Sequence, residues 1–264
     1  MKLYEIIDDE TDMAVAVLLY YEKRKEFIIE LQEDLDEWTA PLLFTNLVKK
    51  GIYTVPRDLS FRWVKERVIP SGRQNISEIL KNHKMETYEE MEFLKVSKGK
   101  CSQDSFYIKP LETLPDYVIQ RRKNVIDCVP CQGKRILCFF EDGTVKKIDL
   151  HQMEDVDGVA KVLRNDSLYH SCEVGTGGYF ITFYDTIDIP AKLLYERGQT
   201  IPLRLDDFLC FAKENLLDTS DCCEVLECSR QNVSYLVKKE QLLAVKEDVK
   251  GNLYLKGNVV RNSW

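Results

Sequence analysis

Residues 229–239 contain several side chains that can form hydrogen bonds with the edges of DNA bases. This segment is predicted to be a helix capped by Ser229, because a serine hydroxyl there can accept a backbone N–H bond from the first turn. Arg can form two hydrogen bonds with guanine, Gln or Asn two with adenine, and hydroxyl groups can bond bases or phosphates. The candidate DNA-contacting residues of this helix are Arg230, Gln231, Asn232, Ser234, Tyr235 and Lys238.

The elements around this helix must hold it in place. One face of the helix carries three apolar residues at helical spacing: Val233, Leu236 and Val237. Their predicted partner is a first helix over residues 219–226, capped by Thr219 or Ser220, with Glu227 and Cys228 in the turn between the helices.

Two short strands are predicted after the helices, over residues 243–246 and 253–256. The turn between them contains Gly251, which favours a tight reversal of the chain. The hairpin adds four candidate DNA-contacting residues: Lys246, Lys250, Asn252 and Lys256. Residues 219–264 are therefore predicted to be a helix-turn-helix followed by a β-hairpin wing.

This order of elements resembles the wing-bearing helix-turn-helix of the excisionase and MerR-type families. The resemblance implies double-stranded DNA as a partner and the regulation of transcription as the activity. One position departs from it, because Glu227 stands in the turn where Gly is usual. That residue restricts the backbone and places a negative charge near the expected DNA face.

The charge of the chain concentrates the expected DNA contacts at its C-terminal end. The whole chain has a net charge of −7, which excludes a protein whose entire surface binds nucleic acid. From residue 229 to residue 264 there are seven basic and three acidic residues, as phosphate contacts require. The alternative is a compact helical unit that contacts proteins and whose basic residues are only solvated.

The middle of the chain contains two predicted hairpins and two helical segments. Asp142-Gly143 joins apolar strands over 136–140 and 145–149, and residues 175–178 join strands over 171–174 and 179–184. Short helices are predicted over 156–163 and, from Pro190, to about Arg197.

Residues 135–198 resemble the domain-of-unknown-function 2442 family. Three segments carry the resemblance: Phe140-Glu141-Asp142-Gly143, Lys147-Ile148-Asp149-Leu150 and Asp188-Ile189-Pro190-Ala191-Lys192-Leu193-Leu194-Tyr195-Glu196. It implies a small α+β domain without catalytic activity, often encoded beside toxin-like partners or joined to helix-turn-helix domains. An antitoxin-like or adaptor protein that acts through protein contacts is therefore the alternative function.

The N-terminal region, residues 1–123, is predicted to open with a β-hairpin over 14–21 and 27–31, although a purely helical bundle is the alternative. Two helical stripes are predicted to follow it: Trp38, Leu42, Leu43 and Leu47, then Leu59, Trp63, Val64 and Val68. Asn75 with Glu78 and Thr87 with Glu90 fit capping boxes. A second basic patch is either a nucleic-acid contact or a solvated helix face: Arg57, Arg62, Lys65, Arg67 and Arg73.

The cysteines and histidines form no recognisable catalytic or metal-binding motif. Cys128-Val129-Pro130-Cys131 is half of a zinc site at most, and core packing is the favoured role of Cys222, Cys223 and Cys228. No enzyme activity, metal, cofactor or small-molecule substrate is therefore predicted.

The predicted fold class is α+β with three regions, 1–123, 124–203 and 204–264, the last a winged helix-turn-helix. The scattered cysteines and the absence of a long apolar segment predict a cytoplasmic protein with no membrane partner. A protein partner or self-association through the first two regions is expected beside DNA.

Overall fold

The computed structural model describes residues 1–203, 205–249 and 251–264, without the side chains of residues 205, 206 and 247–249. The chain divides into two compact units, Met1–Arg121 and Arg122–Trp264. Helices and antiparallel sheets occur in both units, which confirms the α+β fold class. The predicted third region, 204–264, lies within the second unit. No helix among the described residues is long and apolar enough to cross a membrane.

The first unit is built on a five-stranded antiparallel sheet with the order β4-β3-β2-β1-β5. Its strands are β1 (Lys2–Asp8), β2 (Met13–Tyr21), β3 (Glu26–Leu31), β4 (Thr54–Val55) and β5 (Phe106–Leu111). Its helices are α1 (Thr45–Val48), α2 (Arg57–Lys65), α3 (Ile76–Asn82), α4 (Glu90–Ser97) and α5 (Asp116–Arg121). The predicted hairpin is confirmed as β2 and β3, and the helical-bundle alternative is wrong because the early apolar run forms a strand.

The second predicted helical stripe of this unit is confirmed and the first is wrong. Trp63 and Val64 of α2 are buried in the core. Trp38 and Leu42, in contrast, are 85% and 93% exposed. The chain there turns around Asp36, whose carboxylate accepts the backbone N–H groups of residues 38 and 39, and this turn replaces the first turn of a helix.

The two predicted capping boxes are also wrong. Helix α3 does follow Asn75, but the Asn75 side chain makes no capping hydrogen bond. Helix α4 begins at Glu90 after an extended Glu89, so Thr87 lies outside it. The local sequence pattern therefore predicts the start of each helix to within a few residues. It does not identify the groups that accept the free backbone N–H bonds of the first turn.

The second unit begins with two antiparallel sheets that share one core. The first contains β6 (Val125–Cys131), β7 (Arg135–Phe140), β8 (Val145–Asp149) and β12 (Gln199–Thr200), in the order β12-β8-β7-β6. The second contains β9 (Cys172–Val174), β10 (Phe180–Phe183) and β11 (Ile187–Pro190), in the order β11-β10-β9. The helices are α6 (Val159–Arg164), α7 (Asp166–His170) and α8 (Ala191–Arg197). Both predicted hairpins are confirmed.

The same unit ends with a helical segment and a third sheet. Its elements are α9 (Leu205–Asn215), β13 (Leu216–Leu217), α10 (Thr219–Val225), α11 (Arg230–Lys238), β14 (Ala244–Val249), β15 (Gly251–Leu255) and α12 (Lys256–Arg261). The sheet order is β13-β15-β14. A small core joins the elements from β13 onward through Cys222, Val233, Leu242, Tyr254 and Val259.

Candidate nucleic-acid interface

Helix α10 begins with a reciprocal capping box. The Asp218 carboxylate accepts the N–H groups of Ser220 and Asp221 at 2.6 and 2.9 Å, and the Asp221 carboxylate accepts the Asp218 N–H at 2.9 Å. The predicted cap at Thr219 or Ser220 is therefore wrong by one or two residues. A carboxylate at this place also interacts favourably with the positive end of the helix dipole.

The turn between α10 and α11 has the backbone that the sequence predicts for a glycine position. Glu227 has a φ of 49°, in the left-handed region. The turn is closed by two hydrogen bonds, from the Glu227 N–H to Glu224 O and from the Cys228 N–H to Cys223 O, at 3.2 and 3.0 Å. The turn therefore has the expected conformation, but a residue with a Cβ atom adopts it at a cost in free energy.

Helix α11 is capped and packed as predicted. The Ser229 hydroxyl accepts the Asn232 N–H at 3.4 Å. Val233 is 1% exposed, and Leu236 and Val237 pack against the same core. The apolar face thus fixes α11 to α10 and determines which of its side chains reach solvent.

The exposed face of α11 carries five side chains with hydrogen-bonding groups: Arg230, Gln231, Ser234, Tyr235 and Lys238. At about 100° per residue they span an arc of roughly 140°. Asn232 is also exposed but falls outside this arc. The structure therefore brings five of the six helix candidates together on one surface.

Arg230 is partly engaged within the helix pair. Its Nη2 donates to the Ser220 hydroxyl of α10 at 3.0 Å. A guanidinium group has five donors, so this exposed bond leaves donors for a further partner. The contact also places the Arg230 guanidinium beside the first turn of α10.

The hairpin holds the remaining candidates in different surroundings. Lys246 is exposed on β14, and Asn252 is half-buried on β15. Lys250 lies outside the described residues. Lys256 was predicted to end the second strand, but it begins α12 and is half-buried beside β6. Its charge lies close enough to Asp127 to lower the pKa of that carboxyl, against the larger opposite effect of burial.

Hydrogen bonds between β6 and α12, which the sequence did not predict, attach the C-terminal segment to the rest of the second unit. The Asp127 carboxylate on β6 accepts the N–H groups of Gly257 and Cys128 at 3.1 and 2.9 Å. Arg261 donates to the Ile126 carbonyl at 2.7 Å. Asp127 and Gly257 are 130 residues apart, and no local signal in the sequence connects them.

The charges around the helix pair differ between its two halves. Residues 218–228 contain four acidic residues and no basic one: Asp218, Asp221, Glu224 and Glu227. Helix α11 and the residue after it carry Arg230, Lys238 and Lys239. A polyanion would therefore be attracted to α11 and repelled by α10.

The predicted basic patch of the first unit is largely neutralised. Arg57 pairs with Glu26 at 3.3 Å, and Arg62 pairs with Glu66 at 3.1 Å. Arg67 is buried, where it pairs with Asp104 and stacks on Trp63 at 3.7 Å. Lys65 lies over the Phe61 ring at 4.5 Å and Arg73 is exposed. The structure thus favours the interpretation of a helix face over that of a second nucleic-acid contact.

The cysteines near the helix pair are packing residues. Cys222 is fully buried, and burial raises its pKa to about 12, so it stays protonated near neutral pH. Cys223 and Cys228 are half-buried against the same core. Among the described residues no three His, Cys, Asp or Glu side chains are placed to hold a metal ion.

Comparison of the chain with models of known protein families, with curated proteins and with solved structures gave no match. The two family resemblances therefore remain predictions that rest on the residues quoted for them.

Proposed function

We propose that this chain is a DNA-binding regulatory protein that places α11 in the major groove of double-stranded DNA. One observation carries the proposal: α11 exposes five hydrogen-bonding side chains on one arc, while its apolar residues pack on α10. A recognition helix needs this division, because it must be held firmly on one side and contact base edges with the other.

The elements around α11 support a winged helix-turn-helix. A helix and a short strand, α9 and β13, precede the helix pair, and the β14–β15 hairpin follows it. Strand β15 pairs with both β13 and β14. Since β13 directly precedes α10, this pairing attaches the hairpin to the chain at the start of the helix pair. Lys246 on β14 would then contact the phosphate backbone next to the groove.

The acidic helix α10 limits how the module can bind. Four carboxylates between residues 218 and 228 oppose close approach of phosphates on that side. Binding would therefore depend on a few lysines, chiefly Lys238, Lys246 and Lys250. Three phosphate contacts correspond to a slope of about −2 to −3 in a plot of log affinity against log salt concentration.

The proposal is tested by selection of duplexes from a random-sequence DNA library with the full chain at low salt. Fluorescence anisotropy on the selected duplex then measures the variants. Gln231→Ala is expected to weaken specific binding by about 1–3 kcal/mol and to relax the preference at one base pair. Lys238→Ala is expected to weaken binding to any sequence and to reduce the salt slope by about 1.

Lys161→Ala, an exposed lysine on α6, is the matched control for loss of a positive charge. It should leave both the affinity and the salt slope unchanged. No enrichment of any sequence at low salt would refute the proposal. It would also be refuted if Gln231→Ala and Lys238→Ala bound the selected duplex as tightly as Lys161→Ala does.

A protein-binding function, as in an adaptor or an antitoxin-like protein, is the second candidate. Exposed apolar side chains of the same unit favour it, since Phe208 and Leu209 of α9 are 49% and 55% exposed. A second copy of the chain is the simplest occupant of such a surface. Sedimentation equilibrium should show a dimer that Phe208→Ser dissociates, and a monomer at all concentrations would overturn self-association without affecting the DNA proposal.

A further inference from the structure

The two cysteines of the C-x-x-C sequence in β6 face different partners. Residues three apart in a strand project to opposite faces of the sheet, so Cys128 and Cys131 cannot meet each other. The Cys128 sulfur lies 3.7 Å from that of Cys172 on β9, and the Cys131 sulfur lies 3.6 Å from that of Cys210 on α9. The strand thus holds two separate thiol pairs.

Solvent access distinguishes the two pairs. Cys128 and Cys172 are 3% and 2% exposed, so a dissolved oxidant does not reach them in the folded chain. Cys131 and Cys210 are both half-buried, and part of each residue faces solvent. Only the second pair therefore combines contact between its sulfurs with access from outside.

Helix α9 is attached to the four-stranded sheet next to this accessible pair. The Phe211 and Phe139 rings pack with their centres 4.6 Å apart, and Lys147 pairs with Asp207 at 2.9 Å. These contacts hold Cys210 against β6. A disulfide requires the sulfurs to approach to about 2.0 Å, a movement that side-chain rotation and a small shift of α9 can supply.

We propose that Cys131 and Cys210 form a reversible intramolecular disulfide when the chain meets a peroxide, and that this bond locks α9 to β6. The thiolate sulfur of one of the two cysteines attacks one oxygen of hydrogen peroxide, the O–O bond breaks, and a sulfenic acid and one water result. The sulfur of the other cysteine then attacks the sulfenic sulfur, the S–O bond breaks, and a second water leaves. The two thiols lose two electrons and two protons, which the peroxide takes up.

The surroundings of Cys131 affect how fast the bond can form. Burial and the neighbouring Cys210 thiol raise the pKa of Cys131 to about 12, so it is protonated near neutral pH. Since the thiolate is the reactive form, formation of the bond is expected to become faster as the pH rises. A thiol reductant reverses the reaction by exchange at the same sulfurs.

Mass spectrometry of the full chain tests this assignment. The reduced protein is treated with equimolar hydrogen peroxide, its remaining thiols are alkylated after unfolding, and the digest is searched for linked peptides. The 131–210 link is expected as the first and major disulfide, and dithiothreitol should remove it. Cys128 and Cys172 are expected to be recovered as alkylated thiols.

Thermal unfolding gives a second readout. The bond closes a loop of 79 residues, so oxidation should raise the Tm of the second unit by roughly 5–10 °C. Cys210→Ser should abolish both the link and the shift in Tm. Cys101→Ser, which removes a half-buried cysteine of the first unit, should retain both.

Several outcomes would overturn the proposal. Recovery of Cys131 and Cys210 as free thiols after peroxide treatment is one of them. A 128–172 link formed first, an intermolecular disulfide, or Cys210 oxidised to a sulfinic acid beside a free Cys131 would be others. The result does not depend on DNA binding, so either proposal can fail without the other.

Discussion

Asp127 lies where β6 meets the first turn of α12, and its ionisation is expected to lower the stability of the second unit. The residue is 6% exposed, and burial raises its pKa from 3.8 to about 6. The two backbone N–H groups that its carboxylate accepts oppose this effect but do not cancel it. We therefore expect a stability difference between pH 4 and pH 7.5 that originates at this carboxyl group.

The sign and size of the effect follow from linkage. The folded chain binds the Asp127 proton more tightly than the unfolded chain does, so the stabilisation is fully present below pH 3.8 and is lost as the pH rises through about 6. The difference between a pKa of 3.8 in the unfolded chain and about 6 in the folded chain corresponds to about 3 kcal/mol. This direction is opposite to ordinary acid denaturation, in which stability falls as the pH decreases.

Asp127→Asn isolates this contribution from all other titrating groups. The Asn side chain stays neutral at every pH, and its amide nitrogen cannot accept one of the two N–H groups, which lowers the stability by a constant amount. The free energy of unfolding of the native chain minus that of the variant should therefore fall by about 2.5 kcal/mol between pH 4 and pH 7.5, because part of the effect already occurs below pH 4. The free energy of unfolding of the second unit is measured by urea unfolding, with hydrogen exchange of peptides from β7 as the readout.

Glu173→Gln is the matched control, because Glu173 on β9 is half-buried and lines the same small cavity as Asp127. A difference between native and Asp127→Asn chains that stays constant across this pH range would refute the reasoning. So would a difference that increases with pH, or an equal fall for the Glu173→Gln variant.

Two glycine-related substitutions test the backbone geometry of the same unit. Glu227→Gly should raise the free energy of unfolding by about 0.5–1 kcal/mol, because the strain of a left-handed φ that it relieves exceeds the chain entropy that glycine adds to the unfolded state. The control Glu224→Gly, within α10, should lower the free energy of unfolding by about 1 kcal/mol. Changes of the same sign in the two variants would contradict this reasoning. Gly257→Ala should lower it by about 1–3 kcal/mol, because a Cβ atom would lie 2.3 Å from the Ile126 carbonyl oxygen. Gly72→Ala, where a Cβ meets no atom within 4 Å, should have little effect in the same thermal or urea unfolding experiment.

The sequence predicted the elements whose signals are local. Asp142-Gly143 predicted the β7–β8 hairpin because Gly143, with a φ of 81°, supplies the left-handed backbone that a tight turn needs. Ser229 and the apolar spacing of the following residues predicted α11 for a similar reason. In both cases a few adjacent residues determine the conformation, so no distant contact had to be known.

The incorrectly predicted helical stripe of the first unit shows that one local sequence signal can be overridden by another. Trp38 and Leu42 have helical spacing, but Asp36 uses its carboxylate to hold a turn and Pro41 lacks the N–H that a helix interior needs. The helical conformation therefore begins only after Pro41, with Phe44 buried instead. The spacing of the apolar residues indicates a helical period, but it does not include the effects of Asp36 and Pro41.

The rest of the structure depends on long-range contacts. Strand β5 pairs with β1 across about a hundred residues, as in the register of Ile108 with Ile6. The sulfur of Cys131 meets that of Cys210 across 79 residues, and the carboxylate of Asp127 meets the backbone of Gly257 across 130 residues. Such contacts arise from the packing of whole elements, and periodicity within a segment contains no information on them.

The packing of the second unit bears directly on how residues 205–261 could carry out the proposed DNA binding. Helices α9 and α12 both contact β6, whereas α11 packs chiefly on α10. The segment is thus attached to the sheets by its first and last helices, and its candidate recognition helix takes little part in that attachment. Substitutions on the exposed arc of α11 can therefore test the proposed DNA contacts without disturbing the core, while Asp127 and Gly257 affect stability at the contact between β6 and α12. A loss of DNA binding in Gln231→Ala with an unchanged Tm would consequently report on the interface and not on folding.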